Sequence, residues 1–350
     1  MSVFILAKNN PDNKNFYDEN GILETGTGEI LTDIGRNGKE RPWKLHKEEG
    51  LKLDNLFVAA KKLDDSVITD NGLKSLEECG DTLIFLRNEN GEKRLHGANF
   101  CRNRLCPMCN WRRSMKYAYQ AELVVNEAMK RYPKGRFLFL TLTIKNVSGK
   151  ELNKTLSKMT QGFNRLFKYK KVDKNVLGYL RATEVTYSTE HEDYHPHLHV
   201  LLFVKSSYFK NTDSYLTQEE WTKLWAKAMK LDYTPVVDIR TVKAHKRQNL
   251  KSAIIETAKY PVKPFDIDTE DVTLFSEMVK ERITEDLTNG LHRKRQIGFG
   301  KLFKEIKAEL ALDDVEEGDL VQTGSEENSE STGREIVAFW NWERSNYFVR

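Results

Sequence analysis

The sequence predicts an α+β protein with a central antiparallel sheet and flanking helices. The middle of the chain alternates β-rich apolar segments with amphipathic helical segments, in the order β-α-β-β-α-β-α. Two of these strands, Gly178–Tyr187 and the one that ends at Val204, are separated only by the short polar segment 188–194. A crossover connection needs a longer segment, so we expect an antiparallel hairpin. We also expect a small cysteine-rich module before this domain and an extension after it.

The alternation begins with Arg136–Asn146, whose sequence RFLFLTLTIKN is typical of a buried strand. Apolar residues at helical spacing follow, from Leu152 to Phe167, and predict an amphipathic helix. Thr217 begins the next helix with a capping box, TQEE. Val236–Val242 is the fourth strand. The last helix of this region is expected to end at Tyr260, because Pro261 disfavours helical geometry before it.

Four domains or segments are predicted along the chain. Residues 1–70 carry no motif that we can assign. Residues 71–132 form the cysteine-rich module with a helix over Trp111–Arg131, and residues 133–270 form the α+β domain. Residues 271–350 contain a helix over Phe299–Leu310, an acidic linker and an aromatic end.

The composition is that of a soluble globular protein with a heavily charged surface. The chain has 350 residues, of which 39% are hydrophobic and 31% charged, and its formal net charge is +4. No apolar run approaches the roughly 20 residues of a membrane span. The N-terminus has neither the basic region nor the cleavage site of a signal peptide. We therefore expect a cytoplasmic protein without membrane contact.

Four cysteines are present, namely Cys79, Cys101, Cys106 and Cys109. The last two have C-x2-C spacing. Four thiolates suffice for a tetrahedral structural Zn²⁺ site. Two disulfides or four free thiols are the alternatives, and the lack of a secretion signal counts against disulfides. The sequence thus predicts a structural zinc module.

Basic residues gather in three runs, whereas acidic residues gather at 313–330. Such a run is usually a solvated face, but three runs in one chain favour a polyanionic partner. The third run is His292–Gln296. The first two supply our candidate DNA-binding residues: Arg102, Arg104, Arg112, Arg113, Lys116, Lys243, Lys246, Arg247 and Lys251.

Three histidines alternate in YHPHLHVLLFV, residues 194–204. Side chains alternate along a strand, so His197 and His199 share one face, while Leu198 and Val200 face a core. Two imidazoles at this spacing can bind one metal ion. Two hydrogen-bonded histidines on a half-buried strand are the alternative. His195 precedes Pro196 and is expected just before the strand.

Glu184 lies in the neighbouring predicted strand and is the candidate third ligand. Pairing of the two strands brings it close to the histidine face. A cross-strand ion pair with Arg181 or a lysine is the alternative interpretation. Two histidines and one carboxylate leave coordination positions open for substrate oxygens, which suits Mn²⁺ or Mg²⁺ acting on a phosphate.

Glu256 and Tyr260 are four residues apart, so they share one face of a helix. By themselves they indicate an amphipathic helix with an exposed glutamate and a packed tyrosine. Beside a metal site, Tyr260 becomes a candidate nucleophile that forms a covalent intermediate. Glu256 then becomes a candidate base that activates water.

The segments FLTLTIKN, HPHLHVLLFV and ETAKYPVK resemble, in order and spacing, the three motifs of the rolling-circle replication initiators of small bacterial plasmids. These belong to the HUH endonuclease superfamily, in the single-tyrosine branch with a Glu/Tyr pair. CRNRLCPMCNWRRSMK is similar to the cysteine-rich stretch of these initiators, and FWNWERSNYF to their C-terminal end. The resemblance extends from about Leu76 to the C-terminus.

The resemblance implies a palm-like HUH fold and a role for each matching residue. His197 and His199 match the metal-binding pair, Tyr260 the catalytic tyrosine, and Glu256 the glutamate that replaces a second tyrosine. Glu184 is assigned as the third ligand, with His195 in reserve.

The implied activity is site- and strand-specific nicking and joining at the double-strand origin of a plasmid. It yields a 5′-phosphotyrosine and a free 3′-OH primer, with a host helicase and DNA polymerase as partners. The alternatives are a conjugative relaxase or transposase of the same superfamily, and a non-enzymatic zinc-containing DNA-binding regulator.

Overall fold

The computed structural model describes residues 28–35, 38–210, 214–242, 247–258, 277–324 and 333–349. They form two compact units. Unit 1 contains the described residues up to Glu48, Gly80–Asn99 and those from Gly333 onward; unit 2 contains Glu49–Cys79 and the described residues from Phe100 to Gly324. The predicted domain boundaries stay a prediction. None of the helices in the described part of the chain is long and apolar enough to cross a membrane.

Unit 1 is built on a four-stranded antiparallel sheet of order β2-β1-β8-β9. Its strands are β1 (Thr82–Arg87), β2 (Lys93–Ala98), β8 (Arg334–Asn341) and β9 (Asn346–Val349). Buried aromatic side chains hold it together: Trp43 packs edge-on against Phe85, and Tyr347 packs edge-on against Trp340. The aromatic C-terminal segment therefore completes a sheet with strands that lie about 250 residues earlier in the sequence.

Unit 2 is built on a five-stranded antiparallel sheet of order β6-β3-β5-β4-β7. Its strands are β3 (Arg136–Thr143), β4 (Val176–Ser188), β5 (Asp193–Val204), β6 (Val237–Val242) and β7 (Ile297–Lys301). The predicted α+β class and the antiparallel β4–β5 hairpin are confirmed. The central strand β5 is buried over most of its length, because β3 and β4 pair with its two edges and helices pack on both faces of the sheet.

Helix α1 (Trp43–Ala60) begins in unit 1 and ends in unit 2. The other helices belong to unit 2: α2 (Asp70–Glu77), α3 (Pro107–Arg131), α4 (Gly149–Leu166), α5 (Lys170–Asp173), a 3₁₀ helix (Ser206–Phe209), α6 (Gln218–Met229), α7 (Arg247–Ala258), α8 (Glu277–Leu291) and α9 (Leu302–Glu309). The predicted capping box opens α6, where Thr217 and Glu220 exchange both hydrogen bonds.

Helices cover both faces of the five-stranded sheet. On the face that we call the site face, Phe139 and Leu201 form a core with residues of α3, α7 and α9. On the opposite face, the rear face, Phe163 of α4 packs against Tyr179 of β4. The side chains of Leu198, Val200 and Leu202 belong to the rear face, as the alternation of β5 predicts.

Two local predictions were wrong. His195 lies within β5 and not before it, because β5 begins at Asp193. Pro196, which has no amide hydrogen, is tolerated in the strand because it pairs with β4 but not with β3. The segment Phe299–Lys301 is not helical but belongs to β7, which pairs with β4. Gly300 permits this pairing, since a Cβ atom there would lie 1.9 Å from the ring of Tyr179.

Candidate metal centre and active site

Strand pairing brings Glu184, His197 and His199 together on the site face. Glu184 of β4 pairs directly with His197 of β5. Its Oε2 atom lies 3.2 Å from Nε2 of His197 and 2.8 Å from Nε2 of His199. The three side chains are between 12% and 21% exposed, so solvent reaches the cluster from one side. The structure thus unites three residues that the sequence assigned to one metal.

The other ring nitrogen of each histidine has a partner of its own. Nδ1 of His197 lies 3.2 Å from the carbonyl oxygen of His195, and Nδ1 of His199 lies 3.2 Å from Oγ1 of Thr141. A carbonyl oxygen only accepts, so Nδ1 of His197 carries the hydrogen. In the neutral ring its Nε2 lone pair then faces the carboxylate of Glu184. Two electron-pair donors at that distance favour a proton or a metal cation between them.

The electrostatics of Glu184 fit a cation-binding carboxylate. Burial by itself raises the pKa of Glu184, but hydrogen bonds from the protonated rings of His197 and His199, each of which then donates through Nε2, outweigh it and lower that pKa to about 2. The carboxylate is therefore ionised over the physiological range. It supplies a full negative charge at a half-buried position.

The spacing of the three ligand atoms suits octahedral coordination. Two adjacent ligands at about 2.1 Å from an octahedral ion lie roughly 3 Å apart. The separations of 2.8 and 3.2 Å from Oε2 of Glu184 match this value, and all three atoms lie within 4.8 Å of one another. Three protein ligands on one side leave the other positions for phosphate oxygens or water.

Helix α7 carries Glu256 and packs on the same face of the sheet as this cluster. Its residues Leu250, Ala253 and Ile254 are buried in the site-face core. The side chain of Glu256 and all of Tyr260 lie outside the described residues, with Tyr260 two positions after the last residue of α7. The catalytic assignment of both residues stays a prediction.

The four cysteines form a second possible metal site. Sγ of Cys109 lies 3.6 Å from Sγ of Cys79 and of Cys101, and Sγ of Cys106 lies 3.6 Å from that of Cys79. The edge of a zinc–thiolate tetrahedron is about 3.8 Å, whereas a disulfide bond is about 2.0 Å long. None of the four is in a disulfide bond. Their separation therefore fits one tetrahedral ion.

The start of α3 supports the cysteine cluster. Cys106 is the N-cap of this helix and Cys109 lies in its first turn, where the helix dipole favours a thiolate. The contact with Cys101, followed by those with Cys109 and Cys79, lowers the pKa of the Cys106 thiol well below its ordinary value, whereas burial raises the pKa of the Cys109 thiol. The amide of Arg102 points at Sγ of Cys109, 3.2 Å away.

Three of the candidate DNA-binding residues near the cysteines have buried side chains. The guanidinium of Arg112 donates to the carbonyl oxygen of Leu320, and that of Arg113 donates to the side-chain oxygen of Asn110. Nζ of Lys116 lies 2.5 Å from a carboxylate oxygen of Asp313. Burial therefore argues against phosphate contacts by Arg112, Arg113 and Lys116 in this conformation, and we leave them out of the proposed DNA-binding set.

The other candidates differ in their surroundings. Arg104 is partly exposed and pairs with Glu316, and Arg102 donates to the carbonyl oxygen of Glu317. Lys251 is exposed on α7. Lys243 and Lys246 lie outside the described residues, as does the side chain of Arg247. The DNA-binding roles of Arg102, Arg104, Lys243, Lys246, Arg247 and Lys251 stay predictions.

Thr141 of β3 also belongs to the site. It pairs with His199 across β3 and β5, on the same face as Phe139. The sequence signal that could have identified Thr141 is its position, since it is a polar residue on the strand face that otherwise carries buried apolar residues. Its contact with His199 could not be predicted, because that contact depends on the register of β3 against β5.

Comparison with known proteins identifies the family. The model of the replication protein family Rep_1 matches residues 92–348. The chain is 52% identical to "Protein rep" of Streptococcus pneumoniae serotype 2 over 92% of this chain and 96% of that protein. It is 45% identical to "Protein rep" of Lactiplantibacillus plantarum over 92% and 99%. No solved structure matches. The chain therefore belongs to the Rep family of replication proteins.

Proposed function

We propose that this replication protein nicks and rejoins one strand of plasmid origin DNA, with Tyr260 as the nucleophile. The observation that carries the proposal is the cluster of Glu184, His197 and His199 on the site face. The family match supports a role in replication rather than in conjugation or transposition. A non-enzymatic regulator would need no such cluster.

The position of α7 supports the nucleophile assignment. The helix packs on the same face of the sheet as the two histidines, and Tyr260 follows it after one intervening residue. A phenol has a pKa of about 10, so Tyr260 must lose its proton to react at neutral pH. When bound, Mn²⁺ or Mg²⁺ polarises the scissile phosphate as a Lewis acid.

The reaction exchanges one phosphodiester for another. The phenolate oxygen of Tyr260 attacks phosphorus, and the bond from phosphorus to the 3′ oxygen breaks. The 3′ oxygen takes up a proton and becomes the primer for a host polymerase, while a host helicase opens the duplex. The phosphate remains on Tyr260 as a 5′-phosphotyrosine, so the step needs no ATP. When the regenerated origin is cut, Glu256 takes a proton from water, the water oxygen bonds to phosphorus, and the bond from phosphorus to the 3′ oxygen breaks. The 3′-OH released in this way attacks the phosphotyrosine, which closes the strand and frees Tyr260.

A covalent-adduct assay tests the proposal. Full-length protein is mixed with supercoiled plasmid that carries the origin and with Mn²⁺, and relaxed DNA attached to protein is measured. We expect the adduct with wild type and with Tyr215→Phe, an exposed tyrosine of the described surface, but not with Tyr260→Phe. An equal adduct with Tyr260→Phe overturns the nucleophile assignment. No nicking of any origin DNA by wild type overturns the proposal itself.

The metal assignment has a separate readout. His197→Ala and His199→Ala are expected to lose calorimetric Mn²⁺ binding as well as nicking. His191→Ala is the matched control, because His191 is exposed in the β4–β5 loop and is not a member of the cluster. Unchanged Mn²⁺ binding by both cluster variants would contradict a metal site at these residues.

A further inference from the structure

Helix α4 carries an exposed row of lysines. Lys150, Lys154 and Lys158 are spaced by four residues, so they share one face of the helix and span about 12 Å along it. The opposite face of α4 is buried, with Leu152, Leu156, Met159, Phe163 and Leu166. The sequence of α4 has one acidic residue, Glu151, which forms no ion pair with these lysines.

This row differs from the basic residues of the other helices. Several exposed lysines and arginines elsewhere are balanced within their own helix at i,i+4, as in the pairs Lys44–Glu48 on α1, Lys74–Glu78 at the end of α2, Arg131–Glu127 on α3 and Lys223–Glu219 on α6. Lys227, Lys251 and Lys304 are also exposed without an ion pair in the described part of the chain, but none of them belongs there to a row of three at i,i+4 spacing. Among the described residues, the three lysines of α4 form no ion pair. Lys150 interacts electrostatically with Asp65, but the Asp65 carboxylate accepts its hydrogen bond from Arg282.

The row has an electrostatic cost in the isolated protein. Like charges at i,i+4 destabilise a helix. Lys150 also lies in the first turn of α4, where the helix dipole disfavours a cation. A row of uncompensated charge is the pattern of a surface that meets a polyanion.

A fourth cation lies beside the row. The loop 292–294 runs along the flank of α4, where Nζ of Lys294 lies 2.5 Å from Oγ of Ser157. In the same region, Nδ2 of Asn153 donates to the carbonyl oxygen of Asn289. Arg293 in this loop is exposed and has no ion-pair partner within the described residues. We call Lys150, Lys154, Lys158 and Arg293 the α4 ridge.

The ridge lies away from the metal centre. Helix α4 packs on the rear face through Phe163 and Tyr179, whereas Glu184, His197 and His199 lie on the site face. The ridge therefore cannot hold the strand segment that reaches the metal. It can hold only DNA that continues past the nick site around the domain.

We propose that the α4 ridge binds the phosphate backbone of duplex DNA that flanks the nick site. Duplex DNA carries one negative charge per roughly 1.7 Å of its axis, which suits a row of cations 12 Å long. Lysines contribute charge without reading bases, so this contact is independent of sequence. The inference rests on the proposed function, because it assigns the ridge to the same origin DNA.

Salt-dependent binding tests it. A labelled 30-base-pair duplex is titrated with full-length wild type and with Lys150→Ala/Lys154→Ala/Lys158→Ala at several salt concentrations. Each lost phosphate contact reduces the slope of log affinity against log salt by about 0.9, so we expect the slope to fall by about 2.7. We also expect affinity at low salt to fall at least tenfold. Lys74→Ala/Lys130→Ala/Lys223→Ala removes the same charge from α2, α3 and α6 and should retain the wild-type slope.

The outcomes separate this inference from the proposed function. Nicking of a single-stranded origin oligonucleotide is expected to be unchanged in the α4 variant. If the α4 and control variants show equal slopes, the inference is overturned even when nicking is normal. If the α4 variant loses binding to anionic lipid vesicles but keeps its duplex affinity, the surface serves a lipid and the inference is also overturned. If wild type never nicks DNA but the α4 variant shows the expected smaller salt slope, duplex binding by the α4 ridge is supported and the nicking proposal is overturned.

Discussion

Nδ1 of His199 lies 3.2 Å from Oγ1 of Thr141, its direct partner across β3 and β5. Nε2 of the same ring lies 2.8 Å from the carboxylate of Glu184. The hydroxyl therefore orients the imidazole so that its other nitrogen points at the common ligand position. Partners of this kind set the orientation of a metal-binding histidine.

Thr141→Val removes this partner at nearly constant volume. We expect the Mn²⁺ affinity to fall by about 10- to 100-fold, because His199 loses the contact that orients it. Thr141→Ser keeps the hydroxyl and should restore most of the affinity, and Thr222→Val is a control at a half-buried threonine on α6, outside the metal cluster. Calorimetric titration measures the effect. Wild-type affinity in Thr141→Val would show that the hydroxyl has no such role.

The contribution of Glu184 to stability depends on pH. Its pKa is about 2 in the folded protein, below the ordinary value of 4.5, so the folded state binds fewer protons than the unfolded one. In metal-free protein this stabilisation is present above about pH 4.5 and is lost as the pH falls toward 2. The shift corresponds to at most about 3 kcal/mol.

Urea unfolding of metal-free wild type and Glu184→Gln, at pH 6 down to pH 3, measures this contribution. We expect the difference between the two proteins to shrink with falling pH. Glu219→Gln, an exposed position on α6, should show almost no difference at any pH. A gap between wild type and Glu184→Gln that does not change with pH would contradict the pKa assignment.

Glu316→Ala is expected to destabilise the protein strongly. The Glu316 side chain is only 4% exposed and accepts hydrogen bonds from Arg104, from the hydroxyl of Tyr117 and from the amide of Gln296. Its removal leaves these donors without their acceptor, at a cost of about 3 to 5 kcal/mol. Glu317→Ala removes an exposed neighbour and should change the free energy of unfolding by less than about 0.5 kcal/mol. Equal stability of the two variants in urea would refute this role.

The cysteine cluster is expected to bind one structural zinc per chain. Elemental analysis of wild type should find about one equivalent, and Cys106→Ser/Cys109→Ser should lose it because half of the ligands are gone. Treatment with a chelator should release four titratable thiols per zinc without a reductant. A zinc-free wild type, or thiols that appear only after reduction, would contradict the assignment.

Local patterns predicted most elements of unit 2 but few of unit 1. The period of two in β5 and the capping box at Thr217 act between near neighbours in the sequence, so they were readable without the fold. The chain segment Phe299–Lys301 was read as helix because its strand conformation depends on pairing with β4. The strands β1 and β8 were missed for the same reason, since each is stabilised by a partner far away in the sequence.

The acidic segment after α9 shows where interpretation by composition fails. It was predicted to be a linker, yet Val315 and Leu320 are fully buried and Asp313 pairs with Lys116. These contacts join residues about 200 positions apart. In the same segment, the carbonyl oxygens of Leu320 and Val321 accept hydrogen bonds from the buried guanidinium of Arg112, which its basic sequence run had assigned to DNA.

The sequence by itself determined that His197 and His199 share a face, because side chains alternate along any strand whatever its neighbours are. It also determined the family, through motifs that keep their order and spacing. Only the tertiary structure decided that Glu184 lies between the two rings, since this depends on the register of β4 against β5. It likewise decided which cations remain exposed. Register and burial arise from contacts between distant residues, which no local pattern records.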